Sequence, residues 1–400
     1  MNRTLAILLL VFVFINTSCQ TPNEALTLQR KLLTVDSHTD TPLWLTRDGF
    51  NFMANNQGQL GSRVDYERMK AGSLDAVFFA VFVGQGKCDS AHYVTANQRA
   101  MQVFDSIHSL LNHQSNLLAL ATTHHQAVAN KKASKKSIFI GVENGYPIGK
   151  DLKQVQRYYD LGARYITLCH TKNNDLCDSS TDTLLHGGLS EFGIQVVKEM
   201  NRLGMMIDVS HASDQTFYDV LKHSSKPIIA SHSCAKALCD NPRNLSDSML
   251  VALAKNKGVI QLCILSDYVK KMPPNPSRDS AMKALRKKYN NFEDLSEERM
   301  KLARAEWQDT DAKYPRELAS VADACNHIDH IVKIAGIDYV GIGTDFDGGG
   351  GLSDCKDVAQ LPAITLELMK RGYSKRDLAK IWGGNLFRVM NAQQNNKVHN

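Results

Sequence analysis

Eight short apolar runs set the strongest limit on what this 400-residue chain can fold into. They cover residues 32–36, 75–83, 137–143, 165–170, 205–211, 227–232, 258–264 and 339–345. Each is too short for an ordinary helix and is rich in Val, Ile and aromatic residues. The apolar residues follow one another without alternating with polar ones, as in parallel strands covered on both faces. Segments with helical spacing lie between the runs, among them 154–161, 192–203, 246–255 and 320–334. In the last, Val321, Cys325, Ile328, Val332 and Ile334 keep roughly helical intervals. Strand–helix alternation repeated in this way predicts an α/β fold, a single (β/α)8 TIM barrel over residues 25–395. Residues 270–315 break the repeat. They are highly charged, begin at Pro273-Pro274 and carry two amphipathic helical runs, 279–289 and 295–307. They read as a helical insertion before the last strand.

The N-terminus does not belong to the barrel. Residues 5–15 are continuously apolar behind Arg3. Such a stretch makes about 16 Å of helix, short of the roughly 30 Å of membrane hydrocarbon. Residues 1–18 therefore read as a signal peptide of lipoprotein type, with Cys19 as the membrane anchor through a lipid. The expected location is outside the cytoplasm, as a bacterial-type cell-envelope lipoprotein or, alternatively, a secreted protein. The formal net charge of +6 is spread along the chain, and no long basic run marks a nucleic-acid partner. Of nine cysteines, the eight beyond Cys19 permit disulfides in an exported chain, but no CxxC pair points to a thiolate zinc site.

Chemistry gathers at the ends of the runs. His38 and Asp40 follow the first run; Glu143 closes the third, His170 the fourth, His211 the fifth, His232 the sixth and Asp345 the eighth. Parallel barrel strands all end on one face, so these groups converge on one cavity mouth. Imidazole and carboxylate without thiolate suit zinc and similar divalent ions. His38 and Asp40, two residues apart on an extended chain, point to the same side and can bind one ion. Glu143 has two oxygens and can bridge two ions, with His211 and His232 completing the second. A binuclear site of this kind places a shared hydroxide between ions about 3.5–4 Å apart. Each signal alone is weak. A strand-end histidine is more often structural, and Asp345 with Asp347 could form an Asx turn or a calcium loop. Their regular placement on one face carries the argument. His92, His108, His113, His124, His125 and His223 read as solvated, and His327 and His330 as packing residues.

The chain resembles the membrane dipeptidase (renal dipeptidase) family of metallopeptidases, within the amidohydrolase-type barrel superfamily. The matching stretches are DSHTDTP (36–42), GVENG (141–145), GARYITLCHT (162–171), GLSEFG (188–193), NRLGMMIDVSH (201–211), SHS (231–233), Arg243-Asn244 and GIGTDFDG (341–348). The resemblance implies two Zn2+ per chain. His38 and Asp40 would hold one ion, His211 and His232 the other, and Glu143 would bridge them. It implies that Asp345 moves the proton between the nucleophilic water and the leaving amine. His170 would polarise the scissile carbonyl, and Arg243 would hold the substrate's C-terminal carboxylate. The expected activity is hydrolysis of dipeptides, including those with a C-terminal D-residue, by a metal-bridging hydroxide. The resemblance further implies a homodimer, and disulfides at Cys88 and Cys239, with Cys177 and Cys263 as partners. Glu191 departs from the family pattern and alters a loop; the 262–268 segment departs too and borders the substrate pocket, which leaves side-chain preference open. Two other readings stand beside this one. One is a different binuclear hydrolase, acting on lactones or phosphoesters. The other is a non-catalytic surface binding lipoprotein on the same barrel.

Overall fold

Nine strands form, eight of them at the apolar runs: β1 (Val35–Thr39), β2 (Ala76–Phe82), β3 (Leu118–Leu120), β4 (Lys136–Glu143), β5 (Ala163–Thr167), β6 (Met206–Asp208), β7 (Ile229–Ser233), β8 (Val259–Leu262) and β9 (Val340–Ile342). This computed structural model describes residues 20–47, 49–57, 61–292 and 295–394, so the expected signal peptide and Cys19 lie outside the described residues. All pairings are parallel, in the order β1-β2-β4-β5-β6-β7-β8-β9. The two ends meet: Thr39 bridges Phe346, Asp40 N donates to Phe346 O (2.9 Å) and Asp345 N donates to His38 O (3.1 Å). The result is the expected (β/α)8 barrel. β3 is the addition. It pairs with Lys136–Ile138 at the start of β4, on the stretch that precedes the pairing of β4 with β5.

Strand periodicity divides the core into two layers. Phe78, Phe139, Tyr165, Met206, Ile229 and Val259 form one cluster, joined by Leu386 and Phe387 of the C-terminal helix Asn385–Gln394. Val77, Phe79, Val81, Ile138, Ile140 and Val142, at alternate positions, pack with the surrounding helices. In the first cluster Phe78 stacks on Phe139 (4.7 Å between centroids) and on Tyr165 (5.3 Å). Such pairs contribute about 0.5–1.5 kcal/mol each beyond their buried area. Gly141 makes room for this stack, since a Cβ there would overlap the Tyr165 ring. The helices are set by local signals. Glu191–Leu203 starts at Ser190, whose side chain accepts from Gly193 N, and stops at Gly204 in the left-handed region (φ 80°).

Between β8 and β9 the chain forms helices Pro276–Lys288 and Glu297–Lys313 ahead of Val321–Ile334. The first begins three residues before the run read from sequence, because Asn275 caps it and Pro276 sits in its first turn. The second continues past Trp307 to Lys313, just short of Pro315.

Two expectations need correction. β1 starts at Val35, not Leu32, and extends through His38 to Thr39. Its polar residues Asp36, Ser37, His38 and Thr39 are fully buried. An apolar-run criterion loses a strand whose buried polar groups are satisfied by neighbours. The cysteines expected to pair are free: Cys88 is exposed, while Cys177, Cys239 and Cys263 are buried in separate surroundings. Cys239 Sγ lies against Asp267 O (3.5 Å), and Cys263 Sγ lies 3.9 Å from Asp345 Oδ2. Among the described residues no helix is long and apolar enough to cross a membrane.

Candidate metal centre and active site

The strand ends bring His38, Asp40, Glu143, His170, His211, His232 and Asp345 to one buried cluster. Glu143, the last residue of β4, lies at its middle. Its Oε2 is 3.4 Å from His38 Nε2, and its Oε1 is 3.2 Å from His211 Nε2, 3.6 Å from His232 Nε2 and 3.9 Å from His170 Nε2. Asp40 Oδ2 lies 3.7 Å from His38 Nε2. The ligand atoms of His38, Glu143 and His232 fall within 4.8 Å of one another, as do those of Glu143, His170 and His211, and of His38, Asp40 and Asp345. His38, Glu143 and His232 are at most 3% exposed.

The backbone aims several of these side chains at a conformational cost. Asn144 (φ 74°), His211 (φ 68°), Asp345 (φ 61°) and Asp347 (φ 70°) are non-glycine residues in the left-handed region. All follow strand ends of the barrel mouth. Such residues cost of order 1–3 kcal/mol each and persist where their surroundings hold them. Around Asp345 the carbonyl accepts from Gly349 N (3.1 Å) and Gly350 N (2.7 Å). Asp347 accepts from Arg63 N (2.6 Å) and Thr41 Oγ1 (2.8 Å), tying the last loop to the first.

Charge sorts the carboxyls into two kinds. Burial alone would raise Glu143, but His38 and His211 hold its carboxyl well below the ordinary range. Burial raises Asp345 well above that range, and the neighbouring Asp40 adds to it. Asp40 itself is pushed up to about 6 by burial and by Glu143. Burial lowers His211 and His232 well below 6.5, helped by the positive charge of Arg243, so both imidazoles are neutral at pH 7. Burial would also lower His38, but Tyr165 and Glu143 hold it well above its ordinary value. One ionised and one protonated carboxyl in a single site is the arrangement that separates a ligand from a proton carrier.

The donor set fits divalent metal. It is all imidazole and carboxylate, and His38 Nε2 and Asp40 Oδ1 are buried without a hydrogen bond. Unsatisfied buried polar atoms are costly unless something else binds them. Arg243 stands beside the cluster, 3% exposed, with Nη2 donating to His232 O (3.0 Å). Its Nε is buried without a partner, and among the described residues it makes no ion pair. The guanidinium lies over the Tyr268 ring, 5.3 Å from its centroid.

Sequence reasoning missed the supporting residues. Tyr165 OH lies 2.8 Å from His38 Nδ1 and donates to Ser37 O at 3.2 Å. Asp36 accepts from His38 N (3.2 Å) and Thr344 N (2.9 Å). The signal available for Asp36 was a carboxylate two residues before a strand-end histidine. Tyr268 had no comparable signal. The histidines read as packing residues do pack: His327 joins Ala235 N to Val269 O, and His330 pairs with Asp247.

The sequence model of the membrane dipeptidase family (peptidase family M19) matches residues 23–400. Dipeptidase verJ of Clonostachys rogersoniana is 32% identical over 387 residues, covering 92% of this chain and 86% of that protein. Dipeptidase aclJ of Aspergillus oryzae is 31% identical over 368 residues, covering 89% of this chain and 76% of that protein. Among solved structures, the probable dipeptidase PvdM of Pseudomonas aeruginosa matches with a TM-score of 0.81 at 28% identity, over 94% of this chain and 98% of that one. The chain belongs to the membrane dipeptidase family, peptidase family M19, and is a hydrolase of the metallo-dipeptidase type.

Proposed function

We propose that this chain is a zinc-dependent dipeptidase that binds two ions. His38 and Asp40 would hold one, His211 and His232 the other, and Glu143 would bridge them. When bound, such ions supply Lewis acidity and lower the pKa of water to about 7, so that a nucleophile exists at neutral pH. The chain's own residues do the rest. Arg243 receives the free C-terminal carboxylate of the substrate, because a fixed guanidinium fork matches a carboxylate and measures chain length. His170, partly exposed at the mouth and packed edge-on against Phe82 (4.8 Å), faces the scissile carbonyl and stabilises its developing negative charge. Asp345, ionised beside the positive charge of bound ions, would take the proton from the attacking water as a carboxylate and give it to the leaving amine.

The observation that carries this reading is the buried Arg243 beside an imidazole–carboxylate cluster, with Nε lacking a hydrogen bond and with no ion pair among the described residues. A lactone or phosphotriester offers no carboxylate to such a group. The carboxylate contact is compatible with either configuration at the adjacent Cα, and the proposal extends to dipeptides with a C-terminal D-residue. The test is amino-acid release from L-Ala-L-Ala and L-Ala-D-Ala by zinc-loaded and chelated protein, with the tripeptide and the dipeptide amide as comparisons. Turnover of the dipeptides alone supports the reading; equal turnover of the amide rejects it. We also assign the mature chain to the cell envelope through a lipid on Cys19, as a homodimer. Loss of labelled palmitate incorporation in Cys19→Ala tests the anchor, and light scattering tests the dimer.

A further inference from the structure

A buried relay lies beneath the cluster. Ser231 Oγ is 2.6 Å from Asp208 Oδ2 and 2.8 Å from His232 Nδ1. A hydroxyl has one proton to donate. The remaining contacts of Asp208 are all with donors: Thr167 Oγ1 at 2.5 Å, Ser231 N at 2.8 Å and Ser210 N at 3.0 Å. Asp208 is therefore an acceptor throughout, and the Ser231 proton goes to it. Ser231 Oγ can then only accept from His232, which must carry its proton on Nδ1. That leaves a lone pair on His232 Nε2, which faces His211 Nε2 at 2.9 Å and Glu143 Oε1 at 3.6 Å. Asp208, Ser231 and His232 are each at most 1% exposed, so water does not compete for these bonds.

We propose that Asp208 and Ser231 are positioning residues that select the Nδ1–H tautomer of His232 and so present its Nε2 to the metal. The inference rests on His232 being a metal ligand, as argued above. His211 has no such partner, since its Nδ1 is buried without a hydrogen bond and its ring is aimed by a left-handed backbone instead. The relay thus serves one histidine of the pair. Hydrogen-bonding partners that fix a ligand histidine are typically worth 10- to 100-fold in metal affinity.

The relay makes opposite predictions for two substitutions. Ser231→Ala removes the only acceptor for Nδ1–H among the described residues. Asp208→Asn places an amide that donates to Ser231 Oγ, which turns the Ser231 proton toward His232 Nδ1 and moves the ring proton to Nε2. The experiment uses the mature protein and its Ser231→Ala, Ser231→Thr and Asp208→Asn variants. Imidazole 15N shifts of His232 are read on metal-free protein, and zinc affinity by competition with a chelator. The expected result is Nδ1–H in the wild type and in Ser231→Thr, a tautomer mixture in Ser231→Ala and Nε2–H in Asp208→Asn. Affinity for one of two zinc ions should fall 10- to 100-fold in Ser231→Ala and recover in Ser231→Thr. If Asp208→Asn does not fold, Ser231→Ala with Ser231→Thr decides alone. Wild-type affinity with an unchanged Nδ1–H signature in Ser231→Ala overturns the relay. A wild type that binds no zinc, but whose His232 tautomer still follows Ser231, rejects the metal reading and leaves the relay standing.

Discussion

Glu143 Oε1 lies 3.2 Å from His211 Nε2, and the second oxygen of the same carboxylate lies 3.4 Å from His38 Nε2 on the other side of the barrel mouth. One side chain at the end of β4 thus reaches ligand candidates from β1 and from the turn after β6, four places apart in the strand order. Replacing it with alanine removes an oxygen from each side at once. Glu143→Ala is expected to bind fewer than two zinc ions per chain and to lose at least about 10³-fold in kcat/KM, since metal-derived charge stabilisation is worth several kcal/mol. Metal content after gel filtration, measured beside kcat/KM, checks it. Retention of two ions with near-normal turnover would remove Glu143 from the bridge.

Asp345 calls for a different outcome. Burial and Asp40 raise its carboxyl well above the usual range in the metal-free chain, which favours the protonated form from which a proton can be given to a leaving amine. Asparagine tolerates the left-handed backbone at this position, so Asp345→Asn should keep the fold. It should also keep both ions while losing about 10²- to 10⁴-fold in kcat, the usual weight of general acid–base catalysis. Zinc stoichiometry and kcat measured on one preparation decide it; a parallel loss of zinc would make Asp345 a ligand.

The sequence disclosed the cluster because a parallel barrel converts position along the chain into position in space. Every strand exit faces one mouth, so a histidine closing a run is already located. What stayed hidden follows from the same rule. β3 has three residues and pairs only with the start of β4, and its apolar stretch 117–121 is all Leu and Ala, without the β-branched or aromatic residues that mark a strand. β1 carries its polar residues inside the strand, where Asp36 is satisfied by Thr344 from the far end of the chain. Tyr165 reads as one more apolar strand residue, and only three-dimensional closure takes its hydroxyl to His38. Disulfide partners depend on Cα geometry that spacing does not fix. None of the eight described cysteines is paired.

Arg243 should separate substrate recognition from catalysis. A charge-assisted hydrogen bond contributes about 1.5–3 kcal/mol, or roughly 10- to 150-fold. Arg243→Met is expected to lower kcat/KM for a dipeptide by about that factor, mostly through KM. For the dipeptide amide, which lacks the charge, wild type and Arg243→Met should be nearly equal. The four rate constants form a cycle whose coupling term reports the guanidinium–carboxylate contact. A coupling near zero would place the substrate carboxylate elsewhere. Thr or Lys at this position would not restore a two-point contact.

Asp40 links the site to stability in a direction opposite to that of most surface carboxylates. Its pKa rises from 3.8 to about 6 in the folded metal-free chain, with burial as the main cause and Glu143 next. The folded state therefore holds the proton at pH values where the unfolded chain has released it. Stability from this group is fully present below about pH 4 and is lost as pH rises through about 6, by roughly 3 kcal/mol in total. Zinc reverses the balance, because it binds the ionised carboxylate and competes with the proton. Metal-free Asp40→Asn is thus expected to be more stable than metal-free wild type at pH 7, by up to roughly 3 kcal/mol, with the gap closing toward pH 4. Zinc should raise the wild-type melting temperature more at pH 7 than at pH 5, and should raise that of Asp40→Asn less. Denaturant titrations at the two pH values, with and without chelator, measure both effects. A metal-free Asp40→Asn that is less stable than wild type at pH 7 would show that the carboxylate is favourably paired without metal, contrary to the crowding of Asp40 by Glu143 and Asp345.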